Sequence, residues 1–409
     1  MAKQPILNVD KEAVAYELLF RNGLQNAFQF PDGTTATSQV MVNSLMLFGI
    51  RSLTCGNKAF INVTEEVLVK DYIQLFPPDL VVPEILEDIE ATPEVIAACL
   101  RLKRGGYQIA LDDIIATDDR NALLAFADIL KVDFMQTDTE TQEAIAKSHR
   151  KSKTTLLAEK VETYDEFKRA KEMGYTLFQG YFFAKPEVLS KKNVPGDRLR
   201  YLQLIRQIHQ SELDLDQIEK LIKQDVSLSY RILRYINSAY FGWNVEIRSI
   251  KQALVLLGEL EIKRWATLVA MAYMGADKPT ELILTALTRG RFCEFVAPQI
   301  NQQQQSQNLF LMGMFSVLDA VMDQPLQDIL AEMPISHDVK DALLGKEGQF
   351  KNCLDMAICY EKGDWPGFSR IADTLGAEEQ MIPDAYLNAV DWATKSIESS
   401  ISRTPSKPY

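Results

Sequence analysis

Acidic and amide side chains recur at the ends of short apolar runs through the first half of the chain. Glu17 stands in AYELLFR, Asn62 in AFINV, Glu84 in LVVPEIL, Asp112 and Asp113 in YQIALDD, Glu159 in TTLLAEKV and Gln179 in TLFQGYFF, with Lys131 in LKVDFM. Four or more oxygen donors converging on one face are what Mg²⁺ or Mn²⁺ requires. Two such ions about 3.5–4 Å apart would clamp a phosphodiester and activate a water. A lysine beside them would offset charge on the phosphate. Any one strand-end carboxylate is equally suited to capping the helix that follows it. It is the recurrence at successive run ends that points to a shared site.

Such groups meet only if the strands end on one side of a sheet. The apolar runs, with QPILNV before them, are rich in Val, Ile, Leu and Phe, and several are nearly continuous. That is the pattern of strands buried on both faces of a parallel sheet. Helical stretches lie between them, such as TPEVIAACLRLKRG, with Thr92 as N-cap, Pro93 at the first helical position and Gly105-Gly106 as the stop. About seven or eight such units in roughly 185 residues predict a trimmed TIM-like (β/α) barrel, with functional groups at the C-terminal strand ends. The segment AKPEVLSKKNVPGDR breaks the alternation, so the α/β domain spans 1–190. Beyond it the periodicity is helical. Leu215, Ile218, Leu221 and Ile222 share one stripe, and Leu228, Ile232 and Ile236 share another behind Ser227 as a cap. IKQALVLLGELEIKRWATLVAMAYM reads as core helices broken around Gly258. An all-helical domain is expected over 196–409, clearest over 196–340.

Composition narrows the function classes. The 409 residues are 47% hydrophobic and 24% charged, ample for buried cores. A net charge of -12 disfavours broad attraction to nucleic acid or an anionic membrane. The three histidines, His149, His209 and His337, are too few and too scattered for a histidine-rich zinc or phosphohydrolase site. Five cysteines without a C-x-x-C pair suit a reducing cytosol. No apolar run reaches about 18 residues, and MAKQPILNVDKEAVAYELL lacks a signal-peptide core. A cytoplasmic protein with neither membrane nor nucleic-acid partner is expected.

The motifs of the first half resemble those of a known family. YELLFR (16–21) resembles the EAL motif with its following Arg, INVT (61–64) the strand bearing a ligand Asn, and PEILE (83–87) the E-x-x-E segment. ALDD (110–113) resembles the paired-Asp strand, LKVDF (130–134) the lysine strand, AEKVET (158–163) the A-E-G-V-E-T run and QGYFFAKP (179–186) the closing Q-G-Y motif. Together and in this order they are similar to the EAL domain, a barrel that hydrolyses cyclic di-GMP in bacteria with two Mg²⁺ or Mn²⁺ ions. The resemblance implies Glu17, Asn62, Glu84 and Asp112 as metal ligands, with Asp113 shared by the second ion. It implies Glu159 as general base, with Lys131 and Gln179 completing the polar site. Arg21 would contact a phosphate, Glu87 would brace the loop after the paired Asp residues, and Glu162 would join the ligand-binding set.

Two departures stand beside the match. Where active members carry a glycine-containing loop after the paired Asp residues, this chain has DDIIATDDRNAL, without glycine and with Asp118 and Asp119. Lost glycines remove the turns that positive φ allows, and added carboxylates repel a dianionic nucleotide. Lys160 stands where the family has Gly. Weak or lost catalysis is therefore expected, with an active Mg²⁺- or Mn²⁺-dependent cyclic di-GMP phosphodiesterase as the alternative.

The second half resembles the HDOD domain, a helical relative of HD phosphohydrolases without their His and Asp ligands. DVSLSYRILRYINSAYF and IRSIKQALVLLGELEIKRW carry the resemblance. It implies no cofactor in this half and a role in binding protein partners. His337-Asp338 reads as a turn entering a helix capped by Ser336. The order EAL then HDOD resembles two-domain signalling proteins of cyclic di-GMP networks controlling motility or biofilm formation. Cyclic di-GMP and protein partners are the expected ligands, and a homodimer is left open.

Overall fold

Eight short strands close into a barrel in strict chain order in this computed structural model, which describes residues 1–19, 50–114, 121–186, 196–210, 212–237, 247–331 and 333–401. The strands are β1 (Ala2–Asn8), β2 (Ala13–Leu19), β3 (Lys58–Val63), β4 (Val81–Ile85), β5 (Ala110–Leu111), β6 (Ile129–Asp133), β7 (Thr155–Glu159) and β8 (Leu177–Gln179). The pairs from β2 through β8 are parallel, as the apolar runs predict. Strand β1 is the exception and runs antiparallel to both β2 and β8. The reason is the length of its connection. A parallel crossover needs a dozen or more residues, whereas β1 and β2 are joined by a tight turn. Asn8 Oδ1 accepts from the backbone N–H of Asp10 and of Glu12, each at 2.9 Å, and Lys11 takes φ 64°.

Helices α1 (Glu65–Val69), α2 (Pro93–Arg104), α3 (Thr139–His149) and α4 (Tyr164–Met173) follow β3, β4, β6 and β7. Each is capped by the residue before it: Thr64, Thr92, Asp138 and Thr163, the last in a reciprocal capping box with Glu166. Thr92, Pro93 and Gly105 occupy the positions expected from sequence.

From residue 196 onward the α-helices are α5 (Gly196–Ile208), α6 (Leu215–Lys223), α7 (Val226–Ile236), α8 (Ile250–Met274), α9 (Thr280–Val296), α10 (Ser306–Phe315), α11 (Leu318–Met322), α12 (Leu326–Ala331), α13 (His337–Leu343), α14 (Gln349–Lys362), α15 (Trp365–Leu375) and α16 (Ile382–Ile401). Gly258 breaks α8 at φ 72°, and Ser336 caps α13 by accepting from the Val339 N–H. Ser227 is not the cap of α7. Asp225 Oδ1 takes the Leu228 N–H at 3.2 Å instead. No helix among the described residues is long and apolar enough to cross a membrane.

The chain forms two compact units, which group the last helices differently from their order in sequence. One contains the barrel together with residues Asp355–Asp391, and the other the described residues of Val188–Leu354 with those after Asp391. Most of the last helices therefore belong with the barrel and not with the helical domain. Tyr360, Phe368 and Tyr386 are buried there, with the Tyr360 ring 5.3 Å from Phe368 and 4.7 Å from Tyr386. The Met1 amino group donates to the Tyr360 hydroxyl at 3.1 Å, and Lys362 lies over the Tyr181 ring.

Candidate active site at the strand ends

Inside the barrel the side chains form layers, because alternate residues of a strand face the same way. Ile6, Ala15, Phe60, Val82, Ala110, Ile129, Leu157 and Leu177, one from each strand, pack into an apolar plug. Moving two residues along every parallel strand replaces this layer with Glu17, Asn62, Glu84, Asp112, Lys131, Glu159 and Gln179. On antiparallel β1 the step runs backwards and reaches Gln4. The apolar plug thus floors a polar layer, which accounts for the burial of Glu17, Asn62, Glu84, Lys131, Glu159 and Gln179.

Lys131 is its hub. The ammonium pairs with Glu84, lies 2.6 Å from Glu159 Oε1, and has Glu17 Oε2 at 3.4 Å and Asp112 Oδ1 at 3.5 Å. Around it, Asn62 Nδ2 donates to Glu17 Oε1 at 3.1 Å and Gln179 Nε2 donates to Glu17 Oε2 at 2.6 Å. Burial alone would lower the Lys131 pKa, but Asp112, Glu159, Glu17 and Glu84 hold it well above the lysine range. Burial also lifts Glu84 and Glu159 well above the carboxylate range, against the pull of Lys131 and with the neighbouring carboxylates adding to the rise. For Asp112 burial is outweighed by Lys131 and by hydrogen bonds, and its pKa falls.

A second acidic group adjoins the first. Oxygens of Glu87, Asp112 and Asp113 lie within 4.8 Å of one another, as do those of Glu17, Glu84 and Glu159. Asp113 takes φ 46° and is raised to about 6 by burial and by Asp112. Lys160, also in the left-handed region at φ 53°, pairs with Asp133, which further accepts from the N–H of Met135 and Gln136. Its ammonium is thereby held on Asp133 and not in the carboxylate layer.

The site fits a divalent cation on its own chemistry. Its donors are hard oxygens, Glu84 Oε2 and Gln179 Oε1 are buried without a hydrogen-bond partner, and one ammonium cannot neutralise four carboxylates. A bound cation would favour the ionised form of the carboxyls whose pKa burial raises.

Of the residues singled out from sequence, Glu17, Asn62, Glu84, Asp112, Lys131, Glu159 and Gln179 share the layer, and Asp113 and Glu87 flank it. Glu162 does not join them. It is half-exposed and pairs with Lys185 at 2.7 Å, which lowers its pKa. Arg21 lies outside the described residues, as do Asp118 and Asp119. Gln4 was missed. It accepts from Gln179 Nε2 at 3.0 Å and donates to the Glu361 carbonyl at 3.3 Å. Its signal, an amide two residues before a core Ile, becomes legible only once β1 is known to run backwards.

The fold and site define a TIM-like barrel with a carboxylate-rich layer at the strand ends, followed by a helical domain. The EAL domain matches residues 17–186 and the HDOD domain matches residues 198–333, and the chain belongs to the family in which the first is followed by the second. It is 34% identical over 400 residues to the uncharacterized protein YuxH of Bacillus subtilis, covering 96% of this chain and 97% of that protein. It is also 34% identical over 396 residues to a Vibrio cholerae protein named cyclic di-GMP phosphodiesterase CdgJ, covering 96% of this chain and 92% of that one. Among solved structures, Klebsiella pneumoniae BlrP1 with calcium and cyclic di-GMP is 22% identical over 44% of this chain and 54% of that one, at a TM-score of 0.36. An EAL domain protein from Listeria monocytogenes is 21% identical over 44% of this chain and 85% of that one, at a TM-score of 0.35.

Proposed function

We propose that the barrel is a Mg²⁺- or Mn²⁺-dependent cyclic di-GMP phosphodiesterase, and that the HDOD domain passes its state to protein partners in signalling of the motility or biofilm type. The observation that carries this is the complete layer of oxygen donors around Lys131, with Lys160 held on Asp133 and away from it. The name of the Vibrio relative supports the same reading.

Glu17, Asn62, Glu84 and Asp112 would hold one ion, and Asp113 with Asp112 would hold a second, braced by Glu87. The ions supply polarisation of a phosphoryl oxygen and a lowered pKa for a bound water. Glu159 would accept the proton of the attacking water. Its contact with Lys131 fixes the carboxylate in place. Gln179, hydrogen-bonded to Glu17, orients that ligand. In the net reaction water adds across one P–O bond: the new bond joins water oxygen to phosphorus, and the ribose oxygen leaves with a proton to give the linear dinucleotide.

A second reading is a receptor that binds cyclic di-GMP without turnover. It is favoured by the glycine-free sequence after Asp113 and the acids at 118 and 119. One experiment decides between them. The protein is titrated calorimetrically with cyclic di-GMP in Mg²⁺, in Mn²⁺ and in Ca²⁺, and each mixture is chromatographed. Binding with linear dinucleotide in Mg²⁺ or Mn²⁺ supports the enzyme. Binding with intact ligand supports the receptor, and no binding at high micromolar ligand removes both.

A further inference from the structure

The helical unit holds a cavity of about 250 Å³ that the barrel chemistry does not use. A single water occupies about 30 Å³, so the space exceeds what one buried water fills. Lys263 and Arg264 of α8 line it, with His209 just past α5, Gln307 and Asn308 of α10, and Ser336 before α13. Phe310 supplies part of an apolar wall. No carboxylate is among the lining residues that the structure describes.

The two cations are anchored from outside the lining. Lys263 Nζ pairs with Glu259 at 2.5 Å, Arg264 Nη1 pairs with Glu261 at 2.7 Å, and Arg264 Nη2 pairs with Glu294. The Arg264 Nε–H remains buried with no acceptor. An unmet buried donor costs about 1–3 kcal/mol, and this one is sealed from the cavity, so the contribution of Arg264 to the lining is its charge. His209 adds a complementary requirement. Its Nε2 lies 3.1 Å from Thr267 Oγ1, whose own proton goes to the Lys263 carbonyl at 2.7 Å. Nε2 must therefore be the donor, which leaves Nδ1 as an acceptor. Burial, with Lys263 nearby, pushes this imidazole down to about 3, so it stays neutral at physiological pH.

We propose that this cavity binds a small phosphate-bearing ligand, inorganic phosphate or a phosphate monoester, independently of the barrel. An ammonium, two side-chain amides and a hydroxyl supply more donors than one carboxylate accepts, and they match a tetrahedral oxyanion. A protonated phosphate oxygen supplies the hydrogen that a neutral imidazole acceptor takes.

The test uses the full-length protein in chelator, where the carboxylate layer of the barrel has no metal ion to recruit an anion. Inorganic phosphate is titrated by calorimetry and by thermal unfolding, with sulfate and acetate as comparators. Saturable phosphate binding is expected, at least tenfold tighter than sulfate or acetate. Lys263→Met weakens it at least tenfold. Lys251→Met, on the same helix but paired with Asp216 outside the cavity, binds as the parent does. Gln307→Leu, at an exposed position, serves as a second variant if Lys263→Met fails to fold. The absence of saturable binding, equal affinity for all three anions, or unchanged affinity in the cavity variant that folds overturns the proposal.

Discussion

Lys131 and Lys160 are two lysines of opposite consequence. Lys131 is wholly buried and is the counter-charge of the carboxylate layer. Removing one partner of a buried ion network leaves the others uncompensated and costs about 3–5 kcal/mol. Lys131→Met is therefore expected to lower metal-free stability by about that amount, read as urea midpoint, and Mn²⁺ is expected to narrow the gap by replacing the lost charge. A gap unchanged by Mn²⁺ would deny the layer its cation affinity. Lys160 is half-exposed and its partner Asp133 is buried, but Asp133 keeps the N–H groups of Met135 and Gln136 as donors, so loss of the ammonium is expected to cost about 1–3 kcal/mol. The left-handed backbone at Lys160 costs a non-glycine residue roughly 1–2 kcal/mol. The terms nearly cancel, so Lys160→Gly is expected to stay within about 1 kcal/mol of the parent in denaturant unfolding. A loss above about 3 kcal/mol would mean that Lys160 supports the site. Sequence identified the ligand-type residues because carboxylates at strand ends stand out from apolar runs. Gln4 did not stand out, since an amide in a first strand carries no such contrast.

Among the elements, β8 and the turn after it are the most constrained. Gly180 sits at φ 141°, and a Cβ there would lie 2.1 Å from the Val161 carbonyl oxygen. Backbone cannot yield as a flexible side chain can, so Gly180→Ala must displace either β8 or the segment after β7. Both carry residues of the polar layer, Gln179 and Glu159. The variant is expected to lose about 1–3 kcal/mol or more and to lose metal affinity with it, measured by unfolding and by Mn²⁺ titration. Retained metal affinity at reduced stability would show the turn to be independent of the site. Strand existence was legible from apolar runs, whereas the direction of β1 was not. The short link to β2 held that information, because only antiparallel strands can be joined so tightly.

Across the molecule, the division into units changes how the protein should be cut. Residues Asp355–Asp391 group with the barrel through the buried aromatics Tyr360, Phe368 and Tyr386, so a fragment that lacks them loses this packing. A fragment ending at 190 is expected to be less stable than the full chain by several kcal/mol, since burying each large aromatic contributes about 1.5–3 kcal/mol. Urea unfolding followed by barrel tyrosine fluorescence would measure it. A fragment as stable as the parent would make the C-terminal helices an independent element. Helical periodicity over 355–391 signals an apolar face but not what covers it, so proximity in sequence does not say which unit these helices pack with.

The barrel-then-helices order, the strand positions, the caps Thr92 and Ser336 and the polar residues at the strand ends were legible in the amino-acid sequence. These rest on local periodicity and on side-chain chemistry, which are properties of neighbouring residues. Only the tertiary structure decided that one strand runs backwards, that Gln4 joins the polar layer, that Glu162 stays outside it and that Lys131 is its hub. It also decided that the last helices belong to the barrel. Those facts depend on which distant segments share a layer, and closure of the barrel sets that through strand register.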